Sequence, residues 1–190
     1  MARPPRNFVE GLYHVTAQAS DTRFLFLSDA ERELFLDGLA AVCERYELAL
    51  VTYTLMSNHY HLVVAIPDSR LSAALQRLHS WYSRRHNKHR AREAHPFRAH
   101  FFARQLESDE DLLWACRYVA RNPVEAGLVA DPLDWRWGGA RANAGLERPR
   151  IPLDDEPLRA ALGGREGWRE GYALFLDSED EPAANASQPG

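Results

Sequence analysis

The chain of 190 residues is narrowed first by what it has little of. It carries two cysteines, Cys43 and Cys116, too few for a disulfide framework or a cysteine metal cluster. Both fall in apolar helical patterns and read as small core residues, which suits a reducing, cytoplasmic setting. No apolar run approaches the roughly 20 residues that a membrane span needs. The N-terminal MARPPRNFVEGLYHV has basic residues but neither a long apolar stretch nor a small-residue cleavage site, so no secretory signal is expected. Internal repeats are missing too. Hydrophobic residues make up 45%, enough for an ordinary packed core.

A net positive charge is also missing: 23 Lys and Arg stand against 27 Asp and Glu, for a net charge of −4. Its distribution matters more than its sum. Arg84, Arg85, Lys88, Arg90, Arg92, Arg98 and Arg104 lie in one block against a single acid, Glu93, with His86, His89, His95 and His100 interleaved. From Arg150 onward four basic residues face nine acidic ones. A basic block on an acidic chain fits either a polyanion partner or a solvated charged surface.

Hydrophobic periodicity supplies the elements. Leu12–Ala17 alternates and predicts a first strand, with Phe24–Leu27 a possible extension. Ser28 and Glu31 form a capping-box pattern ahead of a helix over Ala30–Tyr46, in which Gly38 costs about 1 kcal/mol relative to alanine. Leu48–Met56 and His59–Ile66, joined by Ser57-Asn58, predict an antiparallel hairpin. A second helix is expected over Leu71–His86, then a loop to Phe97 and a strand over His100–Leu106. Ser108 caps a third helix that Pro123 should stop near Asn122. The stretch with Trp135 and Trp137 reads as loop, and Glu156–Leu162 and Trp168–Leu176 as short helices. This order predicts an α+β fold, a split βαβ sandwich with an antiparallel sheet and helices on one face.

On the predicted third strand, His59 and His61 project to one face and Tyr60 to the other. Two imidazoles on a rigid sheet form half of a divalent-metal site. They also fit a half-exposed strand with Asn58 as a turn residue. In the third predicted helix, Trp114, Tyr118 and Asn122 recur every four residues on a face other than the apolar one of Leu112, Cys116 and Val119. The Asn122 carboxamide oxygen could complete a site with the two histidines, with the Tyr118 phenol beside it. Tyrosine suits phosphodiester exchange, because a phenol of pKa about 10 is also a workable leaving group. Tyr118 as a buried core aromatic fits the pattern as well. Arg117 and Arg121 flank this face.

The segments YTLMSNHYHLVV, HPFRAHFFARQLES and CRYVARNPVEAGLV, in this order, resemble the single-tyrosine transposases of the HUH (His-hydrophobic-His) superfamily, and within it the REP-associated tyrosine transposases of bacteria. The likeness runs from about Gly11 to Gly139. It departs from the usual pattern at Ser57, at Gln18-Ala19-Ser20-Asp21 and at Gly138-Gly139. The resemblance implies a ferredoxin-like fold in a domain placed at 1–145; by pattern and composition, 146–176 reads as a helical extension and 177–190 as a disordered tail. It implies Tyr118 as nucleophile and His59, His61 and Asn122 as metal ligands. It implies action on single-stranded DNA near hairpin-forming palindromic repeats, through a 5′-phosphotyrosine.

A carboxamide oxygen beside two imidazoles favours Mg²⁺ or Mn²⁺ over a zinc site. Arg84, Arg85, Lys88, Arg90, Arg98, Arg104, Arg117 and Arg121 are the expected DNA-backbone contacts. Trp81, Tyr82, Phe97, Phe101 and Phe102 are candidates for stacking unpaired bases. A monomer and a homodimer both remain open, with no membrane partner. Two rival readings are a hairpin-binding module without cleavage and a metal-dependent phosphoesterase that uses water.

Overall fold

The computed structural model describes residues 8–20, 24–90, 96–98 and 100–178, without the side chains of 89 and 90. Four strands form its sheet: β1 (Gly11–Gln18), β2 (Ala49–Leu55), β3 (His59–Ile66) and β4 (Phe102–Leu106), in the order β2-β3-β1-β4. Every neighbouring pair is antiparallel. Two long helices connect them: α1 (Asp29–Tyr46) between β1 and β2, and α2 (Leu71–Arg90) between β3 and β4.

Alternation along the strands sorts the side chains into two cores. Tyr13, Val15 and Ala17 of β1 and Tyr60, Leu62 and Val64 of β3 pack with Phe35, Leu39, Leu75, Leu78 and Tyr82 of α1 and α2. Val63 of β3 and Val51 of β2 pack on the opposite face with Leu112, Cys116 and Val119 of α3 (Asp109–Glu125). The α+β class and the antiparallel sheet agree with the sequence. Helices on one face hold only for α1 and α2, because β3 is apolar on both sides and α3 covers the second. Three further helices join that side: α4 (Ala140–Asn143), α5 (Glu156–Ala161) and α6 (Trp168–Asp177).

Local chemistry sets most of the boundaries. The Ser28 hydroxyl accepts from the Glu31 amide and caps α1, and the Ser108 hydroxyl accepts from the Asp111 amide and caps α3. Asp109, Glu110 and Asp111 add negative charge to the first turn of α3, where the helix dipole favours it. Pro123 does not stop α3 at Asn122. It sits within the last turn, and Ala126 N–H donates to Asn122 O at 3.1 Å beyond it. Helix α2 runs four residues past His86, and β4 starts at Phe102 rather than His100. Phe24–Leu27 is no strand; the Leu25 and Phe26 amides both donate to Ser57 O, which ties this segment to the β2–β3 turn.

Gly38 has a packing reason. A Cβ there would lie 2.5 Å from Cζ3 of Trp81, so the glycine lets α1 and α2 approach. The Trp135–Gly139 stretch runs along the outer edge of β2, with Leu55 N–H donating to Trp137 O and Gly139 N–H to Tyr53 O, both at 2.9 Å. Backbone satisfaction at an otherwise open edge explains why that loop is ordered. Among the described residues, no helix is long and apolar enough to cross a membrane. The expected tail falls outside the described residues from 179 on, while Asp177 closes α6.

Candidate active site

The two long crossovers decide where the site lies. Strand β3 leaves its His59 end, and α2 brings the chain back to it. Likewise α3 starts beyond the Leu106 end of β4 and returns toward His59. The returning chain pairs Ala19 with Phe97 and donates Arg98 N–H to Gln18 O at 2.9 Å. One end of the sheet thus gathers the start of β3, the finish of β1, the C-terminal half of α2 and the last turns of α3.

Register places the side chains. Thr16 pairs with His61 and with Phe102, and His14 pairs with Arg104. Directly opposed residues share a face, so His14, Thr16, His59, His61, Phe102 and Arg104 all project to the side covered by α3. There the Tyr118 ring stands 5.3 Å from that of His61 and 5.7 Å from that of His14, centroid to centroid. Asn122 Oδ1 lies 3.0 Å from His59 Nε2. The four residues singled out in the sequence as nucleophile and ligands therefore come together. Tyr118 is 37% exposed rather than core.

Burial shapes the electrostatics. It lowers the pKa of His61 well below 6.5, aided by the charges of His14 and His59. It lowers His59 as well, against a hydrogen bond with Asn122 that raises it. His14 is pushed down to about 4 by burial and then by Arg104. The Tyr118 phenol is raised by burial and by Glu125, with a hydrogen bond from Asn122 acting the other way. The histidines are neutral near pH 7, and the phenol keeps its proton.

Among the described residues, no group of three His, Cys, Asp or Glu side chains is placed to hold a metal ion. A third donor must be of another type, and the Asn122 carboxamide is one. His61 Nε2 is buried with no hydrogen-bond partner among the described residues, a cost that a cation would relieve. His59 faces two acceptor oxygens, Asn58 Oδ1 at 2.8 Å and Asn122 Oδ1 at 3.0 Å, yet its neutral form has one N–H. Two donors bound to one octahedral ion at about 2.1 Å stand about 3.0 Å apart. His59, His61 and Asn122 fit a small divalent cation on these grounds.

The basic residues divide. Arg84, Arg85 and Lys88 are exposed on α2, and Arg98 is exposed beside Gln18. Arg104 is exposed and pairs with Asp111 at 2.8 Å. The side chain of Arg90 lies outside the described residues. Arg117 donates to Phe175 O at 3.2 Å and to Ser178 O, and Arg121 donates to Leu176 O at 3.0 Å. These two guanidiniums satisfy the last carbonyls of α6. Of the stacking candidates, Tyr82 and Phe97 are buried and Trp81 packs on Gly38, while Phe102 is 46% exposed on the site face. His14 and Thr16 were not singled out in the sequence, and Asn58 was read there only as a turn residue. The alternation of β1 puts His14 and Thr16 on one face, but only strand pairing brings that face to His61.

A sequence model of the family described as "Transposase IS200 like" matches residues 8–122. The chain belongs to this transposase family, so its class is that of DNA-processing enzymes. Within it, the chain is 26% identical over 147 residues to a Haemophilus influenzae protein named "Putative REP-associated tyrosine transposase", covering 71% of this chain and 83% of the relative. It also shares its fold with a solved REP-associated tyrosine transposase bound to a REP hairpin. The TM-score is 0.65 at 16% identity, over 82% of this chain and 93% of that one.

Proposed function

We propose that this transposase cleaves and rejoins single-stranded DNA beside hairpin-forming repeats, with Tyr118 as nucleophile. The observation that carries this reading is the convergence of the Tyr118 phenol, His61 and the His59–Asn122 pair on one face of the sheet. The phenol oxygen attacks the scissile phosphorus and gives up its proton. A bond forms between tyrosine and the 5′-phosphate, the bond to the 3′-oxygen breaks, and that oxygen takes up a proton. Attack by a 3′-hydroxyl on the phosphotyrosine reverses the exchange, one phosphodiester for another, so no external energy source is needed. His59, His61 and Asn122 would hold Mg²⁺ or Mn²⁺, which when bound polarises the scissile phosphate and offsets charge on its oxygens.

Arg84, Arg85, Lys88, Arg98 and Arg104 supply positive charge at the site end and on the site face for the DNA backbone. The REP hairpin in the structural neighbour supports hairpin DNA as the partner.

The test incubates the protein and a Tyr118→Phe variant with end-labelled single-stranded hairpin oligonucleotides and Mn²⁺, followed by denaturing electrophoresis. A protein–DNA band with the native chain, absent from a variant that still binds the hairpin, is expected. Unchanged cleavage by the variant would identify a water-using phosphoesterase. Hairpin binding with no cleavage by either would identify a binding module.

A further inference from the structure

Both histidines of the site are held through Nδ1. His59 Nδ1 lies 2.8 Å from Asn58 Oδ1, and His61 Nδ1 lies 2.9 Å from Thr16 Oγ1 and 3.0 Å from His14 Nε2. Asn58 ends the β2–β3 turn and Thr16 pairs with His61 across β1 and β3, so the two grips come from separate elements. The opposite nitrogens meet a different environment: His59 Nε2 faces Asn122 Oδ1, and His61 Nε2 is buried without a partner among the described residues.

A carboxamide oxygen can only accept, and His59 faces one at each ring nitrogen, so its single proton serves one of them; the contact to Asn58 Oδ1, at 2.8 Å against 3.0 Å for Asn122 Oδ1, is the shorter. With the proton on Nδ1, the Nε2 lone pair faces the Asn122 oxygen, an arrangement that a cation bound to both stabilises. For His61, an Nδ1–H donated to Thr16 Oγ1 leaves the hydroxyl proton for His14 Nε2, at 3.5 Å. Either tautomer leaves His61 Nε2 unpartnered among the described residues, and only the Nδ1–H form presents there a lone pair that a cation can take.

We propose that Asn58 and Thr16, the latter backed by His14, are positioning residues that lock His59 and His61 as Nδ1–H tautomers, with both Nε2 lone pairs free for a divalent cation. This rests on the metal reading above for its use, and the tautomers are read separately from metal binding. Loss of such an outer partner lowers metal affinity by about 10–100-fold.

Two measurements test it. Thr16→Val and Asn58→Leu remove the acceptors while keeping size, and Thr16→Ser and Asn58→Asp retain them. Titrating Mn²⁺ by electron paramagnetic resonance should show affinity falling about 10–100-fold in the first two variants and little changed in the second two. Equal affinity in all four would overturn the proposal. Long-range ¹H–¹⁵N spectra of the metal-free protein should show His59 and His61 as Nδ1–H tautomers, assigned with His59→Ala and His61→Ala. An Nε2–H tautomer at either histidine would also overturn it. If His59→Ala and His61→Ala bind Mn²⁺ like the native chain, the metal reading fails, while the spectra still decide the tautomers.

Discussion

The ring of Tyr118 meets that of His61 edge-on, at an interplanar angle of 90° and 5.3 Å between centroids, although 57 positions separate them in the chain. Asn122, one turn beyond Tyr118, reaches both His59 Nε2 and the phenol. Replacing Asn122 by alanine should lower Mn²⁺ affinity by about 10-fold or more and suppress cleavage. Alanine is a better helix former by a few tenths of a kcal/mol, so the unfolding midpoint in urea should hold or rise. A large drop in that midpoint would mean that Asn122 is structural.

The Tyr118→Phe variant should melt within about 2 °C of the native chain. Its phenol is partly exposed, and substitutions of that kind change stability by about 0.5 kcal/mol. Calorimetry on both proteins checks that any loss of cleavage is chemical.

The histidine face should make the metal-free protein sensitive to mild acid. Burial pushes His14 down to about 4 and lowers His59 and His61 too. Their folded values lie below the value of about 6.5 expected in the unfolded chain, so the unfolded state binds more protons in between. Their contribution is complete above about pH 6.5 and is lost as pH falls toward 4. With EDTA present, the urea midpoint should therefore drop between pH 7 and pH 5. A flat profile over that interval would contradict the assignment.

Binding energy should separate by residue. Phe102→Ala should weaken binding of single-stranded DNA by about 1–3 kcal/mol, the scale of base stacking, without altering stability, since Phe102 is 46% exposed. Arg84→Ala and Lys88→Ala should each reduce the slope of log affinity against log salt by about 1. Fluorescence anisotropy at several salt concentrations reads both effects. Arg117→Ala and Arg121→Ala should instead loosen α6, whose end they hold, and expose it to protease.

Gly38→Ala offers a test of packing. The substitution gains helix propensity, but its Cβ would overlap Trp81 at 2.5 Å. Overpacking of this kind costs about 1–3 kcal/mol, so the net change should be destabilising by equilibrium unfolding.

Local patterns were enough for the four strands apart from the start of β4 and the mistaken extension at Phe24–Leu27, for the capped helices and for the facing of His59 and His61, because the rules that govern them act over two to four residues. The same reach linked Tyr118 to Asn122. It failed at Pro123, where a proline in a last turn loses little because the helix is ending anyway. It failed again at Arg117 and Arg121, whose partners on α6 lie 55 to 61 positions away.

The amino-acid order by itself determined which chemical groups this protein can bring to bear: two imidazoles on one side of a strand, and a phenol and a carboxamide one helical turn apart. Only the tertiary structure decided that these meet, that His14, Thr16 and Asn58 surround them, and that α3 covers the second face of the sheet. Strand register and the return of long crossovers make those choices. Both depend on contacts between segments dozens of residues apart, which short-range periodicity does not encode.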